Sequence, residues 1–134
     1  WSLVGSEMCI RDSYKILLAV DDSPGTKKAV KYGVRVAQAF GIKVQIITVN
    51  ENNNSNKANK KSSENASKMM RRCGVEAETK FEIGKPVEKI IELAGEDHII
   101  IMGASTQSPI AKFFIGSKPL NVMQNSNCPI LIVK

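Results

Sequence analysis

Two groups of residues in this sequence have the types and spacing needed to bind a phosphate or a nucleotide. The first begins at Gly103, which ends an apolar run, and closes at Gly116-Ser117, just before a helical pattern. A strand that ends on glycine, followed by a loop that returns to Gly-Ser at a helix start, presents backbone N–H groups that suit an anion, above all a phosphate. The second group is Asp21-Asp22-Ser23, which follows another apolar run and supplies carboxylates.

Together the two groups suit a nucleotide, and each also has a purely structural explanation. Asp21 could accept hydrogen bonds from a ribose or a base while the Gly-Ser turn receives the phosphates. The alternative for Asp21-Asp22-Ser23 is turn and helix-cap chemistry, for which Asp and Ser are equally suited. A glycine-bounded turn is the corresponding alternative for Gly103 and Gly116. Which of these applies depends on the elements that position the two groups.

Five short apolar runs predict the strands of a parallel sheet. They span residues 14–20, 43–49, 75–83, 98–102 and 130–133. Short runs bounded by turn residues are typical of strands buried on both faces, whereas the third run alternates with charged residues and predicts a half-exposed edge. Helical spacing separates consecutive runs, so the order is β-α-β-α-β-α-β-α-β. This alternation predicts an α/β domain with parallel strands and right-handed crossovers.

Four helices are predicted between the strands. Ser23 is expected to cap the first helix, while Gly41, Gly74 and Gly95 are expected to end the first three. Each helix should bury one face against the sheet. The residues expected on these buried faces are Val30, Val34, Ala37, Phe40, Ala66, Met69, Met70, Cys73, Val87, Ile90, Ile91, Ala94, Leu120 and Met123.

The predicted sheet brings the two candidate groups together. In open parallel sheets, ligands bind beyond the carboxyl ends of the strands, where the strand order reverses. If helices cover both faces, the first and fourth strands are central neighbours that flank this reversal. The loop after the first strand, with its carboxylates, then meets the loop at 103–117, with its backbone donors.

Composition places the chain among ordinary globular domains. Its 134 residues suffice for one domain with a proper core, and 43% are hydrophobic. No apolar run reaches the ~20 residues that span a bilayer. The net charge of +6 leaves nucleic acid as a minor alternative, because the cations fall in helical patterns and aromatic residues make up only 5%. Cys73 and Cys128 are expected to be small buried hydrophobes in a reducing compartment.

The first residues are expected to stand apart from the domain. Residues 3–12 read LVGSEMCIRD, which resembles the in-frame translation of an adapter used in sequencing libraries. The stretch has neither the basic nor the apolar region of a signal peptide. We therefore expect residues 1–13 to be a non-native, disordered segment and residues 14–134 to form the domain.

Four motifs, in this order, are similar to those of the universal stress protein family. They are ILLAVDDS at 16–23, IIIMGAS at 99–105, FFIGS at 113–117 and NCPILIVK at 127–134. The resemblance covers residues 14–134 and implies a three-layer Rossmann-like fold of the adenine nucleotide alpha hydrolase type, with strand order 3-2-1-4-5. It also implies a cytoplasmic location and a homodimer in which the strand at 130–133 pairs with its copy.

Members of this family that bind ATP carry the pattern Gly-x2-Gly-x9-Gly-Ser/Thr. On this chain the pattern falls on Gly103, Thr106, Gly116 and Ser117. Thr106 departs from it, because glycine permits positive φ and close backbone approach to phosphate, whereas a β-branched residue resists both. Strain of about 1–3 kcal/mol would weaken binding about 5- to 150-fold. The Thr106 hydroxyl could instead bond to a phosphate.

The same resemblance assigns the remaining nucleotide contacts. Pro119 is a second departure, because it removes one N–H donor from the first turn of the last helix. Lys112 and Lys118 could compensate in part by placing positive charge near the anion. The adenine side would be formed by Ala19, Val20, Asp21, Val49 and Met102, with Met102 beneath the base.

Catalysis has little support in the sequence. His98, the only histidine, begins a strand at the end opposite the predicted site. No Cys or Ser has a recognisable base, and no spacing indicates a metal site, although Asp21 or Asp22 could help to hold a Mg²⁺ that arrives with ATP. The sequence thus predicts an ATP-binding, dimeric stress-response sensor or regulator with at most weak ATP hydrolysis. The alternative is a dimeric protein-interaction module that binds no nucleotide.

Overall fold

The computed structural model describes residues 14–51, 57–104 and 117–134, excluding the side chains of residues 117–119. The expectation for residues 1–13 therefore lies outside the described part of the chain. Five strands form one sheet, all parallel, in the order β3-β2-β1-β4-β5. The strands are β1 (Lys15–Ala19), β2 (Lys43–Asn50), β3 (Ala77–Ile83), β4 (His98–Gly103) and β5 (Ile130–Val133).

Four helices connect these strands and confirm the predicted alternation. They are α1 (Gly25–Phe40), α2 (Lys57–Arg72), α3 (Pro86–Leu93) and α4 (Ser117–Asn125). The α/β class, the strand order and the helix count all agree with the prediction. The observed boundaries differ from the predicted ones by one or two residues at half of the strand ends, and β5 matches at both ends. None of the described helices is long and apolar enough to cross a membrane.

Two apolar layers sandwich the sheet. On one side Ile16, Leu18 and Ile46 pack with residues of α1 and α2, and we call this side the α1–α2 face. On the other side Leu17 and Ile100 pack with residues of α3 and α4, and this is the α3–α4 face. Because successive strand residues point to opposite faces, β1 and β4 bury the side chains at their centres on both faces of the sheet. Their burial makes the middle of the sheet a rigid base for the loops at its carboxyl edge.

Glycines end the first two helices as predicted. Gly41 and Gly74 adopt the left-handed conformation, with φ of 66° and 72°. At Gly41 the N–H donates to the Ala37 carbonyl and satisfies one of the acceptors left over at the helix end. The prediction for Gly95 was wrong, because α3 ends at Leu93 and the following Ala94 is already extended.

The cap predicted for α1 was also wrong. The residue at the cap position is Pro24, and no side chain there bonds to the helix N–H groups. Ser23 instead donates its hydroxyl to the Asp21 carboxylate, and its carbonyl accepts the Thr26 N–H at 3.2 Å. The serine hydroxyl is therefore used inside the loop that precedes the helix, in a charge-assisted hydrogen bond to the Asp21 carboxylate.

Several helix residues expected in the core are exposed. Phe40 is 54% exposed because it is the last residue of α1, and Met69 is 41% exposed on α2. Leu120 and Met123 are exposed on α4, whereas Val122 between them is fully buried. Cys73, expected to be buried, is exposed just beyond α2. In a short helix, the spacing of the apolar residues is compatible with more than one buried face. In α4 the face that packs against the sheet is the one that carries Val122.

Candidate functional site

The strand order reverses between β1 and β4, which are paired neighbours. Leu17 lies opposite Ile100, and Leu18 lies opposite Ile101. From β1 the chain continues outward through β2 and β3, and after β4 it continues through β5 on the other side. The chain therefore leaves β1 and β4 toward opposite edges of the sheet, and in open sheets of this type the ligand crevice lies beyond the carboxyl ends of two such strands. This is the place where the sequence predicts the ligand.

Three of the predicted adenine contacts lie on the same face of the sheet. Ala19, Val49 and Met102 all belong to the apolar cluster of the α3–α4 face. Met102 is buried, while Ala19 and Val49 are only partly so. Together they form an apolar shelf at the carboxyl edge, suited to the flat surface of a base. We call these three residues the apolar shelf.

Val20 lies on the opposite face. Its side chain is buried in the cluster of the α1–α2 face, and its backbone N–H donates to the Ile47 carbonyl at 2.9 Å. A ligand on the apolar shelf could therefore meet only the backbone of Val20. The sequence placed Val20 at the strand end correctly, but the face follows from the alternation along β1.

Asp21 organises the loop between β1 and α1. One oxygen of its carboxylate accepts hydrogen bonds from the Ser23 N–H at 2.9 Å and the Thr26 hydroxyl at 2.8 Å, in addition to the Ser23 hydroxyl. The Asp21 N–H donates to the Thr26 oxygen at 3.2 Å. These bonds form a tight turn that enters α1. The turn chemistry proposed as the alternative for Asp21 is thus present, and it fixes the loop that borders the crevice.

Gly103 makes an unusually close backbone contact. A Cβ atom at this position would lie 2.7 Å from the carbonyl carbon and oxygen of Gly25, the first residue of α1. Real Cβ atoms do not approach backbone atoms so closely, so only glycine fits. The Ala104 N–H donates to the Val133 carbonyl at 2.8 Å and continues the pairing of β4 with β5. Gly103 therefore brings the end of β4 against the start of α1.

The remaining residues of the predicted phosphate loop are largely outside the described residues. Thr106, Gly116 and Lys112 are not described, and nothing tests their predicted roles. Ser117 begins α4 and Lys118 lies in its first turn, but only their backbone is described. The predicted helix start at Ser117 is confirmed.

A buried amide that the sequence analysis missed ties three elements together. Asn59, in the first turn of α2, is buried. Its side-chain oxygen accepts the Asp22 N–H at 2.9 Å, and its amide nitrogen donates to the Asn50 side chain at 3.0 Å. The end of β2, the start of α2 and the loop after β1 are thus joined. Residues 50–63 are mostly Asn, Lys and Ser, so the sequence around Asn59 did not distinguish it from its neighbours.

An open groove also lies at the carboxyl edge. It has a volume of about 670 Å³ and lies where β2 and β3 end and α3 begins. Its walls combine apolar and acidic groups with one amide. The lining residues are Glu51, Gly84, Lys85, Pro86, Val87, Glu88 and Asn121. Val87 belongs to the same apolar cluster as the shelf, so groove and shelf share one face of the sheet.

The opposite edge of the sheet offers no comparable arrangement around the histidine. His98 starts β4, at the amino end predicted from the sequence. Its Nδ1 accepts the Gly95 N–H at 3.0 Å, which holds the turn before the strand. Asp97 lies 3.0 Å from the same nitrogen. Among the described residues, no cluster of His, Cys, Asp and Glu could hold a metal ion.

Fold and edge geometry together define an open parallel α/β protein whose strand order reverses between β1 and β4. Comparison with known proteins agrees with this class. The sequence model of the universal stress protein family matches residues 13–134. The chain therefore belongs to the universal stress protein family.

Individual relatives match over most of their length. The chain is 28% identical over 145 residues to universal stress protein YxiE of Bacillus subtilis, which covers 90% of this chain and 98% of that protein. The structure of a universal stress protein from Archaeoglobus fulgidus superposes with a TM-score of 0.77 at 21% identity, covering 90% of this chain and 98% of the other. A universal stress protein in complex with cAMP superposes with a TM-score of 0.73 at 25% identity, covering 90% and 96%.

Proposed function

We propose that this protein binds an adenine nucleotide, ATP above all, in the crevice between β1 and β4. The nucleotide-bound and nucleotide-free forms would differ in the order of the 103–117 loop, and a cytoplasmic dimer would use that difference to regulate a partner. The observation that carries the proposal is the apolar shelf of Ala19, Val49 and Met102, which lies beside the Asp21 loop. The similar protein in complex with cAMP supports an adenine nucleotide as the ligand class.

The residues present fit an adenine nucleotide in chemical type. The apolar shelf suits the base, and the fixed Asp21 loop offers backbone groups and a carboxylate to base or ribose. The amino end of α4, at Ser117, suits a phosphate because unpaired helix N–H groups and the helix dipole favour negative charge there. Thr106, Gly116, Ser117 and Lys118 would complete the phosphate side.

We assign no catalytic residue. Bound Mg²⁺ would offset phosphate charge, and Asp21 or Asp22 would be the nearest carboxylates of the β1 loop. The crevice side of this loop supplies hydrogen-bond acceptors but no histidine, since His98 lies at the other edge. Binding and release, rather than hydrolysis, would therefore be the main event, with at most weak ATP turnover.

The dimer in this proposal uses the free edge of the sheet. Within the described chain, β5 pairs only with β4, so its outer edge has unpaired backbone groups. Such an edge readily pairs with another strand. Leu131 on β5 is 38% exposed, and association would remove this apolar surface from water.

A second candidate function is a dimeric interaction module that binds no nucleotide. The specific observation in its favour is that two signature residues already have structural roles. Gly103 is needed for the contact with Gly25, and the Asp21 carboxylate is bonded within its own turn. Both would be retained in a protein that had lost its ligand. Thr106 and Pro119 stand where nucleotide-binding relatives favour glycine and an N–H donor.

Titration and mass spectrometry distinguish the two candidates. Protein purified without added nucleotide is gently denatured, and released small molecules are identified by mass spectrometry. Calorimetric titration with Mg-ATP then measures binding directly. Thr106→Gly should tighten binding about 5- to 150-fold if backbone strain limits it. Thr106→Ala is the matched control, because it removes the hydroxyl and the β-branch but does not allow the positive φ values that glycine adopts.

The results of these two measurements distinguish the nucleotide-binding protein from the interaction module. A copurified adenine nucleotide, or measurable heat with Mg-ATP, supports the nucleotide-binding proposal. No copurified nucleotide and no heat with either the natural protein or Thr106→Gly would reject it in favour of the interaction module. Equal tightening in Thr106→Ala and Thr106→Gly would show that side-chain bulk, and not backbone strain, limits the site.

A further inference from the structure

The charges of this protein separate between the two sides of the sheet. Helices α1 and α2, which cover the same face, carry ten of the chain's 19 lysines and arginines but one of its 13 acidic residues, Glu64. All ten cations are exposed. We call the outward surface of these two helices the basic face. Its cations are Lys27, Lys28, Lys31, Arg35, Lys57, Lys60, Lys61, Lys68, Arg71 and Arg72.

On α2 the cations form one row. At about 100° of rotation per residue, Lys57, Lys61, Lys68 and Arg72 lie within about 60° of one line along the helix. Buried residues such as Met70 point the opposite way, into the sheet. The row therefore points straight out from the molecule along the whole helix.

A similar row lies on α1. Lys27, Lys31 and Arg35 lie within about 80° of one another around this helix, opposite the buried Ala29 and Gly33. Because both helices connect parallel strands and cover the same face, the two rows run side by side in the same direction. Packed helices lie about 8–10 Å apart.

No salt bridge found among the described residues includes a cation of the basic face, and the one carboxylate of these helices, the exposed Glu64, lies in line with the α2 row. The salt bridges found among residues 14–51, 57–104 and 120–134 lie elsewhere. They join Lys43 to Glu76, Lys80 to Glu82, Lys85 to Glu88 and Lys89 to Glu92.

On α1, two cations make contacts within the protein. Lys28 donates to the main-chain oxygen of Lys134 at 3.5 Å, and the Arg35 guanidinium lies 5.3 Å from the centre of the Tyr32 ring. Both side chains remain exposed. The basic face is thus available to anions in solution.

The composition of the face indicates which polyanion it fits. Insertion into a membrane surface needs apolar side chains on the side that meets the lipid. Here the apolar faces of α1 and α2 are buried against the sheet. Met69 is exposed but lies about a quarter turn from the α2 row, and Arg35 stacks on Tyr32. The basic face would therefore recognise a polyanion by its charge and not by the identity of its bases.

The dimensions of the face match a DNA duplex. Each helix has 16 residues and is about 24 Å long. Over that length B-form DNA carries about 14 phosphate charges. Its phosphate rows border a major groove about 12 Å wide, which two rows of long side chains on helices about 8–10 Å apart can follow. A-form duplexes have a much narrower major groove.

We propose that the α1–α2 face binds the phosphate backbone of duplex DNA without sequence preference. This surface lies on the other side of the sheet from the apolar shelf, so the inference does not depend on nucleotide binding. Lysine and arginine side chains would replace condensed counterions along the duplex, and the release of those ions would drive association. The binding strength would therefore fall steeply as salt is added.

Fluorescence anisotropy with a DNA duplex of about 24 base pairs tests the proposal, at salt concentrations from about 50 to 200 mM. The face variant combines Lys61→Gln, Lys68→Gln and Arg72→Gln. The control combines Lys80→Gln, Lys85→Gln and Lys89→Gln, which removes the same charge from residues that lie outside α1 and α2. Circular dichroism and urea unfolding check that both variants remain folded.

The natural protein should bind the duplex with a steep dependence on salt. The face variant should lower the slope of log K against log salt by about 2 to 3, at about 0.9 for each phosphate that the protein no longer neutralises, and the control should keep the natural slope. Equal reductions in the two variants would overturn the proposal, because net charge alone would then explain binding. So would the absence of binding at about 50 mM salt, or tighter binding to phosphatidylserine vesicles or duplex RNA than to DNA.

Discussion

Gly25 and Gly103 meet backbone to backbone, and the contact leaves no room for a side chain. A Cβ atom on Gly103 would lie 2.7 Å from the Gly25 carbonyl carbon and oxygen, and one on Gly25 would lie 3.1 Å from the Ala104 oxygen. The start of α1 and the end of β4 are held together at this point. A glycine that resembles a phosphate-binding residue therefore also has a packing role that exists without any ligand.

We predict that Gly103→Ala destabilises the protein by about 1–3 kcal/mol, the usual cost of forcing extra atoms into a packed contact. Urea unfolding measures the change. Gly95→Ala is the matched control, because its Cβ would meet the movable end of the Asp97 side chain and would touch the His98 ring at an ordinary contact distance, and it should shift stability by no more than about 0.5 kcal/mol. If Gly103→Ala and the natural protein unfolded at the same urea concentration, the packing role of Gly103 would be wrong.

We predict that Asn59→Leu destabilises the protein by about 1–3 kcal/mol, because it leaves the Asp22 N–H and the Asn50 side chain without their partner. Amide hydrogen exchange at Asp22 should accelerate together with the loss of stability. Asn59→Asp should restore much of the protection, since a carboxylate still accepts the Asp22 N–H. The exposed Asn65, changed to Leu, provides the control on the same helix. Unchanged exchange at Asp22 in Asn59→Leu would contradict the network.

We predict that the Cys128 thiol ionises at higher pH in the folded protein than in the unfolded chain. Burial disfavours the thiolate and raises its pKa, although a backbone hydrogen bond involving Ile100 acts in the other direction. Because the folded pKa is the higher one, this stabilising contribution is complete below the unfolded pKa and is lost as pH rises through the folded pKa.

Alkylation rates against pH measure this difference. The experiment uses a Cys9→Ser, Cys73→Ser background, in which Cys128 is the remaining thiol. The midpoint of the rate profile should lie higher in buffer than in concentrated urea. A lower midpoint in buffer would mean that the hydrogen bond outweighs burial.

We predict that Leu131→Lys weakens the proposed homodimer. The added charge lies beside the free edge of β5, where a second copy would bury it. Light scattering after size exclusion should show a shift toward the monomer at equal protein concentration. Phe40→Lys, which changes an exposed apolar residue on α1, should leave the distribution unchanged. A natural protein that is monomeric at all concentrations would reject the dimer itself.

The layout of the fold follows from local sequence features. Buried runs such as 98–102 and the glycines at 41 and 74 report strands and helix ends through chemistry that acts within a few residues. The strand order and the meeting of the β1 and β4 loops then follow from general rules for parallel sheets. The position of His98 away from the crevice could be predicted in the same way.

What the sequence did not reveal depends on contacts between distant residues. Asn59 bonds to Asp22 from another element, and nothing in either residue type marks the pair. Gly103 was predicted to approach a phosphate, but its nearest partner is Gly25. Leu120 and Met123 are exposed because a different face of α4 packs against the sheet. Tertiary packing decides each of these outcomes.

The uneven placement of ion pairs also gives the molecule a permanent electric dipole directed across its sheet. On the α3–α4 side, Lys85 and Lys89 are offset by neighbouring glutamates, whereas the cations of α1 and α2 have no such partners among the described residues. A molecule with this polarity turns in the field of any large anion before the two touch. It would arrive with α1 and α2 leading and with the α3–α4 face on its trailing half.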